Sequence, residues 1–176
     1  MSNVIYKQGQ ISDIDEKLGI VKGYGSVFGN KDSDNDIIEK GAYRRTIKNN
    51  GSRVKYLYQH DITKPIGRMK ELYEDEKGLV FVAEVPKTTF GNEVLELMKY
   101  GVIDENSVGI MPVKKDYDED GIRVIKEAKL YEISAVTIAA NDEAKILEVK
   151  GEYNNPDYLS KRFDNLIKVI RKGNVS

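Results

Sequence analysis

The sequence predicts an α+β domain made mainly of antiparallel strands, a small, partly closed β-barrel with a central helix and a C-terminal helix. Three observations support this prediction. Short segments of alternating apolar and polar residues recur along the chain, polar turns separate them, and only two long segments show helical spacing of apolar residues. Many strands with few helices favour antiparallel pairing over a βαβ sheet.

The first clear strand is the glycine-rich segment GIVKGYGSVFG at residues 19–29. Its alternation predicts a strand that bends where another backbone approaches closely. A phosphate-binding loop is the alternative, but no helix signal follows the glycines and no Gly-Lys-Ser/Thr sequence does either.

An acidic segment, NKDSDNDIIEKG at residues 30–41, comes next. Asp32, Asp34 and Asp36 alternate as in a calcium-binding loop, but the glycine and the terminal glutamate of that motif are not at the required positions. A solvated loop is therefore favoured over a metal site. Residues 42–48 then predict a short helix that ends at the Asn-Asn-Gly sequence 49–51.

Two strand signals follow this helix. Residues 54–60 alternate, which predicts a strand with His60 at its end. Residues 66–73 and 79–85 flank a polar turn at 74–78 and predict a hairpin.

The central helix is predicted to begin at a cap formed by Thr88 or Thr89 and to stop at Gly101. Its apolar face is formed by Val94, Leu95, Leu97 and Met98.

The second half of the domain is predicted to be a long hairpin. Its strands are residues 107–114 and 122–126, and the second continues or bends into 130–138. Residues 151–157 have the composition of a linker, and 158–171 have the apolar spacing of a helix. We therefore predict a catalytic or binding domain over 1–150, followed by a linker and an amphipathic helix over 151–176.

Composition excludes several classes of function. The 176 residues carry a formal net charge of −1, which gives no strong attraction to nucleic acid or to an anionic membrane. There is no cysteine and one histidine, so a thiol nucleophile, a disulfide framework and a zinc site built on several imidazoles or thiolates are excluded. Residues 1–7 lack the apolar core of a signal peptide, and no apolar run approaches the roughly 20 residues of a membrane span.

Ser107 and His60 are the minimum parts of a nucleophilic hydrolase. Ser107 begins a run of alternating apolar residues, and Gly109 follows two positions later, so that a backbone can approach closely. Three acids are candidates for orienting His60. Asp61 is adjacent and would point to the other side of a strand, Asp104 precedes the serine strand, and Glu132 lies in the facing strand.

Strand alternation places Glu132 on one face with Leu130, Ser134 and Val136, where an ionised group is costly unless it is paired. A two-residue hairpin loop at 119–120 puts Ser107 opposite Glu132, whereas a loop at 120–121 puts it opposite Ser134. Both registers leave Ser107 and Glu132 on one face. The alternative is an edge glutamate paired with a lysine.

In order and spacing, these segments resemble the prohead proteases of tailed bacteriophages, which resemble herpesvirus assemblins in fold. The resemblance covers about residues 19–149. The matching stretches are residues 23–30, 36–43, 58–61 with 65–67, 106–110, and 130–137 before Ala139-Ala140-Asn141. The family usually has Pro-Ala-Asn where this chain has Ala139-Ala140-Asn141, so the shape of that loop is expected to differ.

The resemblance implies a serine endopeptidase in which Ser107 is the nucleophile and His60 the base. The third position falls on the strand that carries Glu132. Herpesvirus relatives have a second histidine as this member, which the chain lacks, so Glu132 is chosen.

The resemblance also implies what the enzyme acts on and where. The expected substrates are the scaffold segment of the major capsid protein and the protease itself, inside the immature prohead in the host cytoplasm. No cofactor, nucleic acid or membrane is expected, and the helices permit a homodimer without requiring one.

Two other classes of function are compatible with the residues. One is a non-catalytic capsid assembly or scaffold-binding protein, in which Ser107 and His60 are structural. The other is a metal-dependent hydrolase that uses Asp32, Asp34 and Asp36.

Overall fold

A computed structural model describes residues 5–15 and 19–139 of the chain. These residues form eight strands and two short α-helices. A 3₁₀ turn over Gly51–Arg53 follows the first helix. The elements in chain order are β1 (Ile5–Asp15), β2 (Ile20–Val27), β3 (Asp36–Ile38), α1 (Arg44–Asn50), β4 (Lys55–Tyr58), β5 (Asp61–Glu74), β6 (Gly78–Glu84), α2 (Thr89–Lys99), β7 (Glu105–Tyr117) and β8 (Arg123–Val136).

The strands form one curled sheet in the order β3-β8-β4-β5-β6-β2-β1-β7, and β7 pairs back with β8. Neighbours are antiparallel except where β3 and β4 each pair with β8 in parallel. The predicted, mostly antiparallel and barrel-like sheet with a central helix is thus confirmed. The predicted helix over 158–171 and the division between 1–150 and 151–176 lie outside the described residues.

The inside of the curled sheet is filled by large apolar side chains from almost every strand. Tyr56 and Phe81 are fully buried there, with ring centroids 5.0 Å apart. Burial on this scale stabilises the sheet through the apolar surface it removes from water. The largest side chains with less than 2% exposure are Tyr43, Tyr56, Phe81, Ile66, Leu79, Met98, Ile103, Ile110 and Ile125.

Helix α2 matches its prediction closely. The Thr88 side chain accepts a hydrogen bond from the Gly91 backbone N–H at 2.9 Å, which caps the helix. Val94 and Met98 are buried against the sheet, and Gly101 ends the segment with a φ of +67°. Within the described part of the chain, neither helix is long and apolar enough to cross a membrane.

Several elements differ from the prediction. Strand β1 was not predicted at all, and the acidic segment contains the three-residue strand β3. Helix α1 begins and ends two residues later than expected, at Arg44–Asn50. Strand β4 ends at Tyr58, so His60 lies in the following turn and not in a strand. Strand β3 was not predicted because it has three residues, and no alternation is visible over so short a run.

A buried ion pair attaches β3 to β8. Asp36 is 1% exposed, and both of its carboxylate oxygens accept bonds from the Arg123 guanidinium, at 2.7 and 2.6 Å. Such bidentate pairs are directional as well as strong. Arg123 therefore fixes the edge strand on the sheet.

We expect Arg123→Met to lower the free energy of unfolding by about 3 kcal/mol, because it removes the guanidinium that binds both carboxylate oxygens of the buried Asp36. Urea unfolding followed by circular dichroism measures this. Lys126→Met is the matched control. It removes an exposed cation of the same strand that is paired with Asp116, and it should change stability little. Equal effects of the two substitutions would contradict the role given to the buried pair.

Candidate active site

The pairing of β7 with β8 sets the position of the serine. Ser107 lies opposite Ser134, and Gly109 lies opposite Glu132. This is the second of the two predicted registers, and it puts the four residues on one side of the sheet. Ser107 is 4% exposed, so almost none of this residue lies on an open surface.

The register does not come from the two-residue loop that was predicted. The strands end at Tyr117 and Arg123, which leaves five residues in the turn. Three bulges restore the predicted pairing of Ser107 with Ser134. The extra residue is Val113 on β7, and Lys126 and Tyr131 on β8. The bulge at Tyr131 also corrects the predicted face of β8. Leu130 belongs to the hydrophobic core, on the other side from Glu132 and Ser134.

His60 lies in a strained hairpin turn. Tyr58 pairs with Asp61, so Gln59 and His60 are the two central residues between β4 and β5. Their φ angles are +54° and +57°. Positive φ at both positions is the requirement of a type I′ turn, for which Asn-Gly is the preferred sequence. A residue with a Cβ loses roughly 1–2 kcal/mol in this conformation.

Hydrogen bonds to the end of β8 hold this turn in place. The Gln59 backbone N–H donates to the Ala135 carbonyl at 2.9 Å, and the Gln59 side chain bonds Thr137 through both its oxygen and its nitrogen. The His60 backbone N–H donates to Ser134 Oγ at 3.1 Å. Strain that the surrounding structure compensates in this way is typical of functional sites.

The His60 ring is paired with Glu132. Nδ1 of His60 and Oε1 of Glu132 are 2.8 Å apart, and both side chains are mostly buried. The second carboxylate oxygen, Oε2, accepts a bond from Ser134 Oγ at 2.6 Å. With Nδ1 donating to the carboxylate, Nε2 is the ring nitrogen that can exchange a proton with a reacting group.

Gly109 makes room for this carboxylate. A Cβ at position 109 would lie well inside the van der Waals contact distance from Glu132 Oε1 and 3.1 Å from its Cδ. The predicted close approach at Gly109 therefore exists, but the group that approaches is the side chain of Glu132.

We expect Gly109→Ala to lower the cleavage rate at least 100-fold, because the added methyl group must push the Glu132 carboxylate away from His60. The cleavage rate of the purified variant measures this. Gly51→Ala is a control for glycine replacement, since Gly51 has a φ of −54° and its Cβ position meets only Leu72 Cδ2, at 3.9 Å. A Gly109→Ala variant with wild-type activity would contradict the position of Glu132.

A buried polar pair supports the serine strand from below. Asn106 is fully buried, and its Oδ1 accepts a bond from the Tyr56 hydroxyl at 2.8 Å. Its amide nitrogen donates to the Tyr24 carbonyl at 3.3 Å. Burial raises the pKa of Tyr56 well above its ordinary value, so the hydroxyl stays protonated and donates. The Asn-Ser sequence alone did not reveal this role.

The other two acids considered for His60 are placed differently. The Asp61 carboxylate accepts bonds from the backbone and hydroxyl of Thr63, at 2.9 and 2.6 Å, and these bonds lower its pKa. Asp104 lies in the loop before β7. Of the three, the contact with Nδ1 of His60 is made by Glu132.

The acidic loop uses its carboxylates for its own structure. Asp32 Oδ1 accepts backbone N–H bonds from Asp34 and Asp36, and Asp36 is paired with Arg123. Within residues 5–15 and 19–139, no three histidine or acidic side chains are grouped as metal ligands.

The chain is similar to a known protein family, to two phage proteins and to one solved structure. The family model described as caudovirus prohead serine protease matches residues 7–157. A prohead protease of Enterobacteria phage HK97 is 37% identical over 141 residues, 77% of this chain and 62% of the relative. A prohead protease of Escherichia phage T5 is 29% identical over 151 residues, 83% of this chain and 70% of the relative.

The solved structure of the capsid assembly protease of bacteriophage T4 has the same fold, with a TM-score of 0.60 and 12% sequence identity. The match covers 76% of this chain and 97% of that chain. This chain spans less than two thirds of the length of the HK97 relative.

Proposed function

Because the chain belongs to the caudovirus prohead serine protease family, we propose that it is a serine endopeptidase that cleaves capsid scaffold and itself during prohead maturation. The observation that carries this proposal is the 2.8 Å contact between His60 Nδ1 and Glu132 Oε1. It lies in a turn whose backbone is bonded to Ser134, the residue opposite Ser107. An imidazole oriented by a carboxylate is the acid–base part of a triad hydrolase, and Ser107 would complete the triad as the nucleophile.

In the proposed mechanism, Nε2 of His60 takes the proton of Ser107 Oγ as the oxygen attacks a peptide carbonyl carbon. The tetrahedral intermediate collapses, the C–N bond breaks, and the same proton passes from His60 to the leaving amine. Water then attacks the ester carbonyl carbon with His60 again as the base. The bond to Ser107 Oγ breaks, His60 returns the proton to that oxygen, and the product leaves with a new carboxyl end. Glu132 holds Nδ1–H and stabilises the imidazolium that forms in each step.

Backbone N–H groups must bind the developing oxyanion. Two candidate sources of these donors are the backbone near Gly109 and the loop at Ala140 and Asn141. Glu132 folds against Gly109, and Ala140 and Asn141 lie outside the described residues.

We propose that the substrates and partners are the major capsid protein with its scaffold segment, and a second copy of the chain, within the immature prohead in the host cytoplasm. The names of the HK97 and T5 relatives and of the T4 neighbour support a role in capsid assembly. Cleavage would make assembly irreversible. An assemblin-like barrel over 1–150 and a removable linker and helix over 151–176 belong to the same proposal.

The test is co-expression with the phage's major capsid protein, followed by intact mass analysis of both chains over time. The proposal expects the capsid protein and the protease to shorten with the wild type and to stay whole with Ser107→Ala. Added chelator should change nothing, and loss of cleavage in chelator would favour the metal-dependent hydrolase. If the wild type binds the capsid protein but cleaves nothing, the chain is a non-catalytic assembly protein.

A further inference from the structure

Ser134 lies directly below the turn that carries His60. It is fully buried, and it faces Ser107 across the strand pair. Its hydroxyl makes two bonds, accepting from the His60 backbone N–H at 3.1 Å and donating to Glu132 Oε2 at 2.6 Å. Neither bond is needed to pair the strands.

The donor and the acceptor in each of these two bonds are determined. A hydroxyl has a single hydrogen, and an ionised carboxylate can only accept, so the Ser134 hydrogen points to Glu132 and a lone pair takes the His60 N–H. Glu132 in turn accepts from Nδ1 of the same histidine. The three bonds therefore form a closed ring. It joins the His60 backbone N–H to Ser134, Ser134 to Glu132, and Glu132 to the His60 imidazole.

The carboxylate needs this restraint. Glu132 lies over Gly109, which has no side chain to limit the glutamate's movement. His60 and Gln59 occupy a turn conformation that residues with a Cβ adopt at a cost. Ser134 restrains both parts at once, since it bonds the strained backbone and the carboxylate with one hydroxyl. A bond of 2.6 Å to an ionised oxygen is in the range of charge-assisted bonds.

We propose that Ser134 is a positioning residue of the active site, which fixes Glu132 and the backbone of His60 so that the imidazole keeps its tautomer and direction during proton transfer. This inference rests on the proposed function for its kinetic consequence. Its structural consequence, a disturbed Nδ1–H bond of His60, is independent of activity.

The kinetic test uses a peptide that spans a bond cut in the co-expression experiment. We expect Ser134→Ala to lower kcat by about 10- to 100-fold, the range for a lost hydrogen bond to a charged group, with KM within about twofold. Ser134→Cys, which keeps a side chain of similar shape with a weak donor, should lie between alanine and the wild type.

Thr46→Val is the matched control. Thr46 is also a buried hydroxyl residue, and it accepts a backbone N–H of the same strand, from Leu130 at 3.1 Å. Its loss should lower stability and leave kcat unchanged. If Thr46→Val lowers kcat as much as Ser134→Ala, a general loss of stability explains both, and the inference fails.

The spectroscopic test uses the fact that His60 is the only histidine. In protein labelled with ¹⁵N-histidine and freed of any tag, a single set of imidazole resonances reports its tautomer and its Nδ1–H bond. We expect a downfield Nδ1–H signal in the wild type, in Ser107→Ala and in Thr46→Val, and an upfield-shifted or exchange-broadened signal in Ser134→Ala. If Ser134→Ala does not fold, Ser134→Cys is measured in its place.

The two tests separate the two claims. If the wild type cleaves neither the capsid protein nor itself, the proposed function is contradicted. The Nδ1–H resonance of His60 still decides the role of Ser134 in that case. An active wild type with an unchanged Nδ1–H signal and unchanged kcat in the folded Ser134 variants overturns the inference alone.

Discussion

Ser107→Ala should lower turnover by on the order of a millionfold, because the variant has no oxygen to form the acyl-enzyme ester. The substitution removes one buried oxygen and keeps the Cβ, so the fold should persist. The measurement is the rate of peptide cleavage at enzyme concentrations high enough to detect the residual rate, with thermal unfolding of the same sample to confirm folding.

Ser52→Ala, in the exposed 3₁₀ turn, is the control for a serine replacement away from the site. It should cleave at the wild-type rate. If Ser107→Ala keeps more than a few per cent of the activity in a clean preparation, Ser107 is not the nucleophile. Ser134, which faces it, would then be the first hydroxyl to test.

Replacing His60 should cost about as much as replacing Ser107, because the serine needs its base both to attack and to release the amine. Asparagine is the best replacement, since it tolerates the positive φ of +57° and should preserve the turn. We expect His60→Asn to lower kcat by on the order of a millionfold, and the double variant with Ser107→Ala to be no slower than either single variant.

Non-additivity is the decisive result in this pair. Residues that act as one unit lose their function together, so the second substitution has little left to remove. Effects that multiply in the double variant would mean that His60 and Ser107 act independently, for instance with His60 in substrate binding. Gln59→Asn, a neighbouring change that also tolerates positive φ, serves as the control for disturbance of the turn.

The resemblance to prohead proteases supplied the roles of the site residues, and alternation along the strands predicted the relative position of two of them. Alternation placed Ser107 and Glu132 on one face of a hairpin, and this held although the loop has five residues and not two. The agreement depends on three bulges whose shifts combine to restore the phase. Nothing in the local sequence marks those bulges, so the position of Leu130 was predicted on the wrong face.

The local sequence did not predict the turn at Gln59 and His60. Gln-His is not a sequence that favours positive φ, and local preference indicated that the strand continues through it. Contacts from Ser134, Ala135 and Thr137, far away in the chain, override that preference. Gly109 was noticed as a point of close approach, but the group that fills the space, Glu132, is visible only in three dimensions.

Covalent labelling with a fluorophosphonate, followed by peptide mapping, tests whether His60 activates the oxygen of Ser107. An activated serine oxygen displaces fluoride from phosphorus, so labelling reports nucleophilicity without any knowledge of the natural substrate. If Ser107 is the nucleophile and His60 its base, the wild type carries a single adduct on Ser107 and His60→Asn carries almost none. An adduct on another residue, or equal labelling of Ser107 in both proteins, would contradict these roles.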